Sequence, residues 1–130
     1  MLDTDICIYI AKHRPPQVKA RFERLKPGQL VLSVITYAEL YYGANKSNQR
    51  ARALAELGEM IQDIPVEDLT LTASQAYGEI RAALEAQGRV IGSNDLWIGA
   101  HAMALDVTLA TNNEREFERI AGLSVENWAK

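Results

Sequence analysis

Short apolar runs alternate with helix-forming segments along this chain of 130 residues, and few folds accommodate that pattern. The run QLVLSV at 29–34 follows a Pro-Gly pair, and VTLAT at 107–111 follows a helical pattern. Between them, apolar side chains recur at helical spacing, as at Ala73, Tyr77 and Leu84. Such alternation predicts βαβ units, whose parallel sheet is covered by helices on both faces. We therefore expect an α/β protein: an α/β/α sandwich with a central, mostly parallel four- to five-stranded sheet.

The boundaries follow from turn residues and from changes in the apolar period. The segments predicted as strands are 1–3, 29–34, 63–66, 107–111 and 123–125. The segments predicted as helices are 6–12, 16–25, 36–45, 48–62, 72–87, 94–105 and 114–120. Ser33 or Thr36 is expected to cap the helix at 36–45, and Ser93 or Asn94 the helix at 94–105. The chain shows no repeat and no linker, so we expect a single domain over residues 1–130.

Composition and charge limit the classes of protein to which this chain can belong. With 48% apolar residues the chain can bury a sizeable core, but it has no continuous apolar stretch long enough for a membrane helix. The single cysteine, Cys7, and the lack of a signal-peptide pattern predict a cytoplasmic protein. The net charge of −3 hides an asymmetry, because residues 1–52 carry +5 and residues 53–130 carry −8. The basic segment from Lys12 to Lys26 is either a solvated helix face or a surface for a phosphate backbone.

Acidic residues fall where the predicted strands end. The chain opens MLDTDICIYI, with Asp3 at the end of the first strand, and Glu39 lies one turn into the helix after the second strand. Asp95 is in the first turn of the helix before VTLAT, and the segment 112–116, NNERE, follows that strand. Functional crevices of open parallel sheets lie beyond the carboxyl ends of the strands. Four distant segments are therefore expected to bring carboxylates and amides to one edge of one sheet.

Each acid also has an ordinary explanation. Asp3 or Asp5 can cap a helix, Glu39 can be a solvated helix residue, and Asp95 is favourable near a helix start in any case. Together, however, such carboxylates repel one another unless a cation or a proton neutralises them. Oxygen ligands without a Cys or His cluster suit Mg²⁺ or Mn²⁺, ions that assist phosphodiester hydrolysis. We interpret the two histidines, His13 and His101, as a surface residue and a packing residue.

Four short motifs, in this order, resemble those of PIN domains, and most closely the VapC toxins of type II toxin–antitoxin systems. They are LDT with Asp3, SVITYAEL with Glu39, GSNDLWIGAHA with Asp95, and TNNEREFERIAGL with Asn113 and Glu116. The resemblance covers essentially the whole chain. It implies an α/β/α fold and a Mg²⁺- or Mn²⁺-dependent ribonuclease that cuts structured RNA, often tRNA at the anticodon stem-loop.

The resemblance also implies roles for individual residues. Asp3, Glu39 and Asp95 match the metal-binding acids, and Thr4 matches a hydroxyl of the site. Either Asn113 stands at the fourth acidic position or Glu116 supplies the missing charge. Asn112, with Ser93 or Asn94, is expected to orient ligands or water. Asp5 either adds charge to the site or caps the first helix.

The partners implied by the resemblance are a second copy of the chain and an antitoxin. We expect a homodimer, possible larger toxin–antitoxin assemblies, and a VapB-type antitoxin that places a basic side chain in the acidic cleft. Five apolar residues either form a surface that a partner covers or belong to the ordinary core: Tyr37, Tyr41, Tyr42, Leu57 and Ile61. Trp97 is predicted to pack behind the site.

Two other functions fit parts of the sequence. The DTD at residues 3–5 is also typical of haloacid-dehalogenase-type phosphatases, whose first aspartate is a nucleophile. Such enzymes need a late lysine, and this chain has no lysine between Lys46 and Lys130. The second alternative is a non-catalytic interaction module with a PIN-like fold. Loss of the acids would have indicated such a module, but the acids are present.

Overall fold

The computed structural model describes all 130 residues. The helices are α1 (Thr4–Lys12), α2 (Pro16–Glu23), α3 (Val34–Lys46), α4 (Arg50–Asp63), α5 (Leu71–Ala86), α6 (Ser93–Leu105) and α7 (Glu114–Phe117). The strands are β1 (Leu32–Ser33), β2 (Val66–Glu67), β3 (Leu109–Ala110) and β4 (Val125–Glu126), and a 3₁₀ turn lies at Pro27–Gln29. Every predicted helix is present.

The strands form two parallel pairs, β1 with β2 and β3 with β4, and the first three residues lie between the pairs. The Leu2 N–H donates to the Val31 carbonyl at 3.1 Å. On the other side, the Asp3 N–H donates to the Ala110 carbonyl at 2.9 Å, and the Ala110 N–H donates to the Met1 carbonyl at 2.8 Å. The resulting order is β2, β1, residues 1–3, β3, β4. The predicted parallel α/β arrangement is therefore confirmed.

The strands are shorter than predicted, because helix ends use some of the apolar residues. Within QLVLSV, Val34 already belongs to α3, since the Ser33 hydroxyl accepts a hydrogen bond from the Ile35 N–H at 3.1 Å. Before β3, the Val107 N–H donates to the Ala102 carbonyl and completes the end of α6. Local capping thus outcompetes strand pairing at both places.

Two hydrophobic clusters lie on the opposite faces of the strands, as alternating side chains require. Met1 and Leu109 belong to the cluster beneath α5, α6 and α7, whereas Leu2 and Ala110 belong to the cluster that contains residues of α1, α2 and the loop after α4. Cys7 is fully buried in the second cluster. Helices cover both faces, which confirms the α/β/α layering.

The helix starts match the sequence-based predictions in part. Ser33 caps α3, so the choice between Ser33 and Thr36 is settled in favour of Ser33. The prediction for α6 is wrong: the helix begins at Ser93 after Gly92, and no side chain caps it. None of the helices combines the length and apolar character needed to cross a bilayer.

Candidate active site

Asp3 ends the central strand and begins α1, so its carboxylate lies at the carboxyl edge of the sheet. One oxygen, Oδ1, accepts from the Thr4 N–H at 2.8 Å and caps α1. The other, Oδ2, accepts from the Thr111 hydroxyl at 2.7 Å. Only 5% of the residue is exposed. Burial, reinforced by the negative charge of Asp5, raises the pKa of Asp3 to about 6.

Glu39 reaches the same edge from α3. The Thr4 hydroxyl donates to Glu39 Oε1 at 2.6 Å, and Thr36 Oγ1 lies 3.4 Å from Thr4 Oγ1. Thr36 and Glu39 are three residues apart on one helix and therefore share a face. The first turn of α1 and the second turn of α3 are thus held together by polar contacts through Thr4.

Asp95 and Glu116 form a carboxyl pair between α6 and α7. The two side chains lie close enough for each to alter the pKa of the other. Burial and the neighbouring Glu116 carboxyl raise the pKa of Asp95, and the neighbouring Asp95 carboxyl lowers the pKa of Glu116. A cation bound near the two carboxylates would offset their mutual repulsion.

The side chains of α7 and of the residues after it pack closely against the backbone of α6 at Gly99. A Cβ atom added at Gly99 would lie 2.5 Å from Ile120 Cδ1 and 3.6 Å from Phe117 Cδ1. The absence of a side chain at residue 99 leaves room for Ile120 Cδ1, which would have to move if a Cβ atom were present, while Phe117 would stay at ordinary contact distance. The packing places Glu116 within reach of Asp95.

The loop between β3 and α7 supplies the amides. The Asn113 N–H donates to Thr111 Oγ1 at 2.9 Å, and Asn113 Nδ2 donates to Glu116 Oε2 at 2.9 Å. Asn112 instead contacts α1, where its N–H donates to Asp5 Oδ2 at 3.0 Å and its amide donates to the Tyr9 hydroxyl at 3.1 Å. Asn113 therefore lies beside the acids, while Asn112 holds the loop against α1.

Asp3, Glu39, Asp95 and Glu116 constitute an acid cluster, as the sequence predicted for these four segments. The charges of Asp3, Glu39 and Glu116 all contribute to the raised pKa of Asp95, because all three lie near it. No group of three or more His, Cys, Asp and Glu side chains is already spaced as a metal site. Three of the four carboxylates are instead hydrogen-bonded to neighbouring residues: Asp3 to Thr4 and Thr111, Glu39 to Thr4, and Glu116 to Asn113. The all-oxygen donor set is the kind that a hard divalent cation prefers.

Several further predictions concern side chains around the cluster. His101 is buried with Nδ1 2.8 Å from Ser33 Oγ, and the Trp97 ring stacks on Tyr77 at 3.9 Å, so both are packing residues as predicted. Ser93 and Asn94 are exposed and make no side-chain hydrogen bond. Asp5 lies in the first turn of α1 and accepts from Asn112, while Asp3 is the cap of that helix.

Thr111 and Thr36 are polar site residues that the sequence did not indicate. Both are fully buried, and Thr111 links Asp3 to Asn113 through its single hydroxyl. The only signal for Thr111 was its place as the first residue of the TNN motif.

A groove of about 820 Å³ begins at Thr4 and Glu39 and runs between α1, α3 and α4. Eleven of its twenty lining residues are hydrophobic, including Leu57 and Met60 of α4. Tyr41 and Tyr42 are exposed, whereas Leu57 is buried and belongs to the core. Of the two interpretations, ordinary core therefore holds for Leu57, and the partner surface stays a prediction for the two tyrosines.

Known proteins resemble the chain over its whole length. The family model described as PIN domain matches residues 1–123. Ribonuclease VapC2 of Haemophilus influenzae is 42% identical over 128 residues, which are 98% of this chain and 96% of that protein. The tRNA(fMet)-specific endonuclease VapC of Shigella flexneri is 43% identical over 129 residues, 99% of this chain and 97% of that protein. The solved structure of VapBC-1 from nontypeable Haemophilus influenzae superimposes with a TM-score of 0.92 at 40% identity, covering 100% of this chain and 98% of that one.

Proposed function

The chain belongs to the PIN-domain family and to its VapC ribonucleases, and from that premise we propose that it is a Mg²⁺- or Mn²⁺-dependent endoribonuclease toxin that cleaves tRNA. Its solved relatives are toxin–antitoxin complexes, and its partner is a VapB-type antitoxin. The observation that carries the metal-dependent mechanism is the acid cluster: four carboxylates from α1, α3, α6 and α7 meet at one sheet edge. The phosphatase alternative finds no support among the relatives.

We assign Asp3, Glu39 and Asp95 to the metal, with Glu116 as a fourth acid. PIN nucleases in general depend on divalent metal ions. Bound there, the ion would lower the pKa of a water molecule and stabilise negative charge on a phosphoryl oxygen. Thr4 and Thr111 hold the carboxylates of Glu39 and Asp3 in place through 2.6 and 2.7 Å hydrogen bonds.

The Asp95–Glu116 pair supplies a site for a proton. Because the neighbouring Glu116 carboxyl raises the pKa of Asp95, the pair would hold a proton more readily than a separated aspartate and would release it when a cation binds. Asn113 Nδ2 orients Glu116 through a 2.9 Å hydrogen bond. We propose that Asn113 positions the fourth acid and that Glu116 carries its charge.

The proposed substrate is structured RNA, specifically tRNA. Support comes from relatives named as tRNA(fMet)-specific endonucleases in Shigella flexneri and Salmonella typhimurium, at 43% and 40% identity. Structured RNA is recognised through its shape, its backbone and its unpaired loops. The anticodon stem-loop offers such a loop, and we propose cleavage there, in the cytoplasm.

We propose that the antitoxin acts on the acid cluster. A basic side chain from its C-terminal segment would neutralise the carboxylates and exclude the metal, since a charge-assisted hydrogen bond to a partly buried acid is strong.

We further propose that the toxin forms a homodimer, for which the exposed Tyr41 and Tyr42 of α3 are candidate contact residues.

The test is an RNA-cleavage assay with purified protein freed of antitoxin. We expect discrete fragments from total tRNA in Mg²⁺ and none in EDTA. Asp3→Asn and Asp95→Asn should each lower the cleavage rate at least a hundredfold, because each removes a charge that holds the ion. The matched control is Asp106→Asn, which changes the same functional group at the exposed far end of α6.

The control variant should cleave like the wild type. Full activity of Asp3→Asn or Asp95→Asn would show that the acid cluster is not the catalytic centre. Fragments that persist in EDTA would contradict metal dependence.

A further inference from the structure

A second, smaller pocket lies between α2 and the last residues of the chain. It has a volume of about 210 Å³. Its lining residues are Gln17, Ala20, Arg21, Arg24, Asn127, Trp128 and Lys130. Three of the seven are cationic and none is acidic, in a protein whose net charge is −3. We call this the cationic pocket.

Specific contacts build the cationic pocket. Arg21 Nη2 donates to Glu126 Oε2 at 2.7 Å, and its guanidinium lies 5.5 Å from the centre of the Trp128 ring. Gln17 Nε2 donates to the Ala129 carbonyl at 2.7 Å. Trp128 is buried in the hydrophobic cluster beneath α1 and α2. The pocket therefore has defined walls, which an array of mobile surface lysines would lack.

Further hydrogen bonds of residues 126 and 127 place the cationic pocket at the sheet edge that carries the acid cluster. The Glu126 carbonyl accepts from the Thr111 N–H at 2.9 Å, and the Thr111 hydroxyl donates to Asp3. Asn127 Nδ2 donates to Glu114 Oε1 at 2.8 Å and to Asn112 Oδ1 at 3.2 Å. The wall of the pocket is thus hydrogen-bonded directly to the loop that precedes Asn113 and Glu116.

The charges of the cationic pocket are unevenly neutralised. Arg21 pairs with Glu126, and Lys130 Nζ lies 3.0 Å from Glu114 Oε1, whereas Arg24 has no ion pair. Lys12, Arg14 and Lys26 of the basic segment also lack ion pairs and are exposed. An anion at the pocket would meet unbalanced positive charge from Arg24, with further positive charge along the same segment.

We propose that the cationic pocket binds a backbone phosphate of the RNA substrate, on the strand beside the scissile bond. The inference rests on the proposed ribonuclease function and specifies how the substrate is held. Phosphate contacts of this kind fix the register of a nucleic acid without reading its sequence. The pocket positions the strand, and the acid cluster at the same sheet edge acts on it.

The experiment measures binding without cleavage. The affinity of the full-length chain for a fluorescently labelled RNA stem-loop is determined by anisotropy in EDTA, over a series of salt concentrations. Arg24→Ala and Lys130→Ala are compared with Arg24→Lys, which keeps the charge, and with Arg52→Ala. Arg52 is an exposed arginine of α4, the helix that leads to β2 at the opposite edge of the sheet.

We expect Arg24→Ala to weaken RNA binding about tenfold and to reduce the slope of log affinity against log salt by about 0.7 to 1. Lys130→Ala should act in the same direction, Arg24→Lys should retain most of the affinity, and Arg52→Ala should match the wild type. Unchanged melting temperatures exclude unfolding as the cause.

Equal affinity and equal salt slope for Arg24→Ala, Lys130→Ala and Arg52→Ala would overturn the proposal. The proposal would also be overturned if Arg24→Ala and Lys130→Ala bound RNA normally but bound the purified antitoxin more weakly in a parallel titration, because the pocket would then serve the protein partner. The measurement requires no cleavage, so failure of the ribonuclease proposal in the tRNA assay is a separate result.

Discussion

Asp3 destabilises the fold in which it is buried. Its pKa of about 6 in the folded protein exceeds the ordinary value of 3.8, so the unfolded chain loses this proton first. The folded state therefore binds more protons between these two values, and the stability of the wild type falls as the pH rises through this interval. Above pH 6 the charged carboxylate remains buried beside Asp5 and Glu39.

Asp3→Asn is accordingly expected to stabilise the metal-free protein while it abolishes cleavage. The difference between the pKa of Asp3 in the folded and in the unfolded protein corresponds to about 2 to 3 kcal/mol in the free energy of unfolding at pH 7. In urea denaturation with EDTA, the free energies of unfolding of Asp3→Asn and the wild type should be nearly equal at pH 4, should diverge up to pH 6, and should then differ by a constant amount. A variant less stable than the wild type at pH 7 would mean that the lost contacts to Thr4 and Thr111 outweigh the relief of buried charge.

The Thr111 hydroxyl donates to Asp3 and accepts from the Asn113 N–H, so two halves of the site depend on one atom. Thr111→Val keeps the shape and removes both hydrogen bonds. We expect it to lower the free energy of unfolding by about 1 to 3 kcal/mol and to reduce RNA cleavage at least tenfold. Thr111→Ser, which retains the hydroxyl, is the matched control and should keep most of the activity. Similar losses in both variants would show that the site tolerates no change at residue 111, whether or not the hydroxyl is present.

The segment that follows α7 approaches α6 most closely at residue 99. Gly99→Ala would bring a methyl group to 2.5 Å from Ile120 Cδ1, so Ile120 must move, and we expect the movement to disturb the adjacent α7 and with it Glu116. We expect a loss of about 1 to 3 kcal/mol in stability and a clear drop in cleavage. The matched control is Gly78→Ala on α5, where a Cβ meets nothing within 4 Å.

Gly78→Ala should raise the free energy of unfolding by about 0.5 to 1 kcal/mol, because alanine favours a helix interior. Thermal melts of both variants measure the contrast. A rise in stability for Gly99→Ala with normal cleavage would show that Ile120 rearranges easily and that the α6–α7 contact does not position Glu116.

Convergence of four chain segments on one edge makes the stability of the whole protein sensitive to divalent cations. A ligand that binds only the folded state stabilises it in proportion to the logarithm of its concentration. Mg²⁺ should therefore raise the melting temperature, and at a hundred times its dissociation constant the gain is about 2.7 kcal/mol. Calorimetry should show a much smaller Mg²⁺ effect in Asp95→Asn, and the full effect in Asp106→Asn.

Equal Mg²⁺ effects in all three proteins would place the cation elsewhere on the surface. The assay needs no RNA and no cleavage. It therefore tests the metal site separately from the enzymatic activity.

Much of the fold and part of the site were predictable from local patterns. The seven helices and the parallel strands follow from apolar spacing and from turn residues, which act over a few neighbouring positions. Asp3, Glu39, Asp95 and the segment 112–116 were expected together because strand ends of a parallel sheet share an edge, whereas the choice of Glu116 within that segment came from the family resemblance. The metal-dependent chemistry assigned to these acids stays a prediction.

Contacts between distant segments were decided only by the tertiary structure. Which of Asn112 and Asn113 faces the acids depends on Asp5 and Tyr9 of α1, more than a hundred residues away. The role of Thr111, the close approach of Ile120 to Gly99 and the cationic pocket beside Trp128 arise in the same way. Sequence spacing constrains neighbours along one helix or strand, whereas the packing of one element on another depends on the shapes of both, and no local pattern records those shapes.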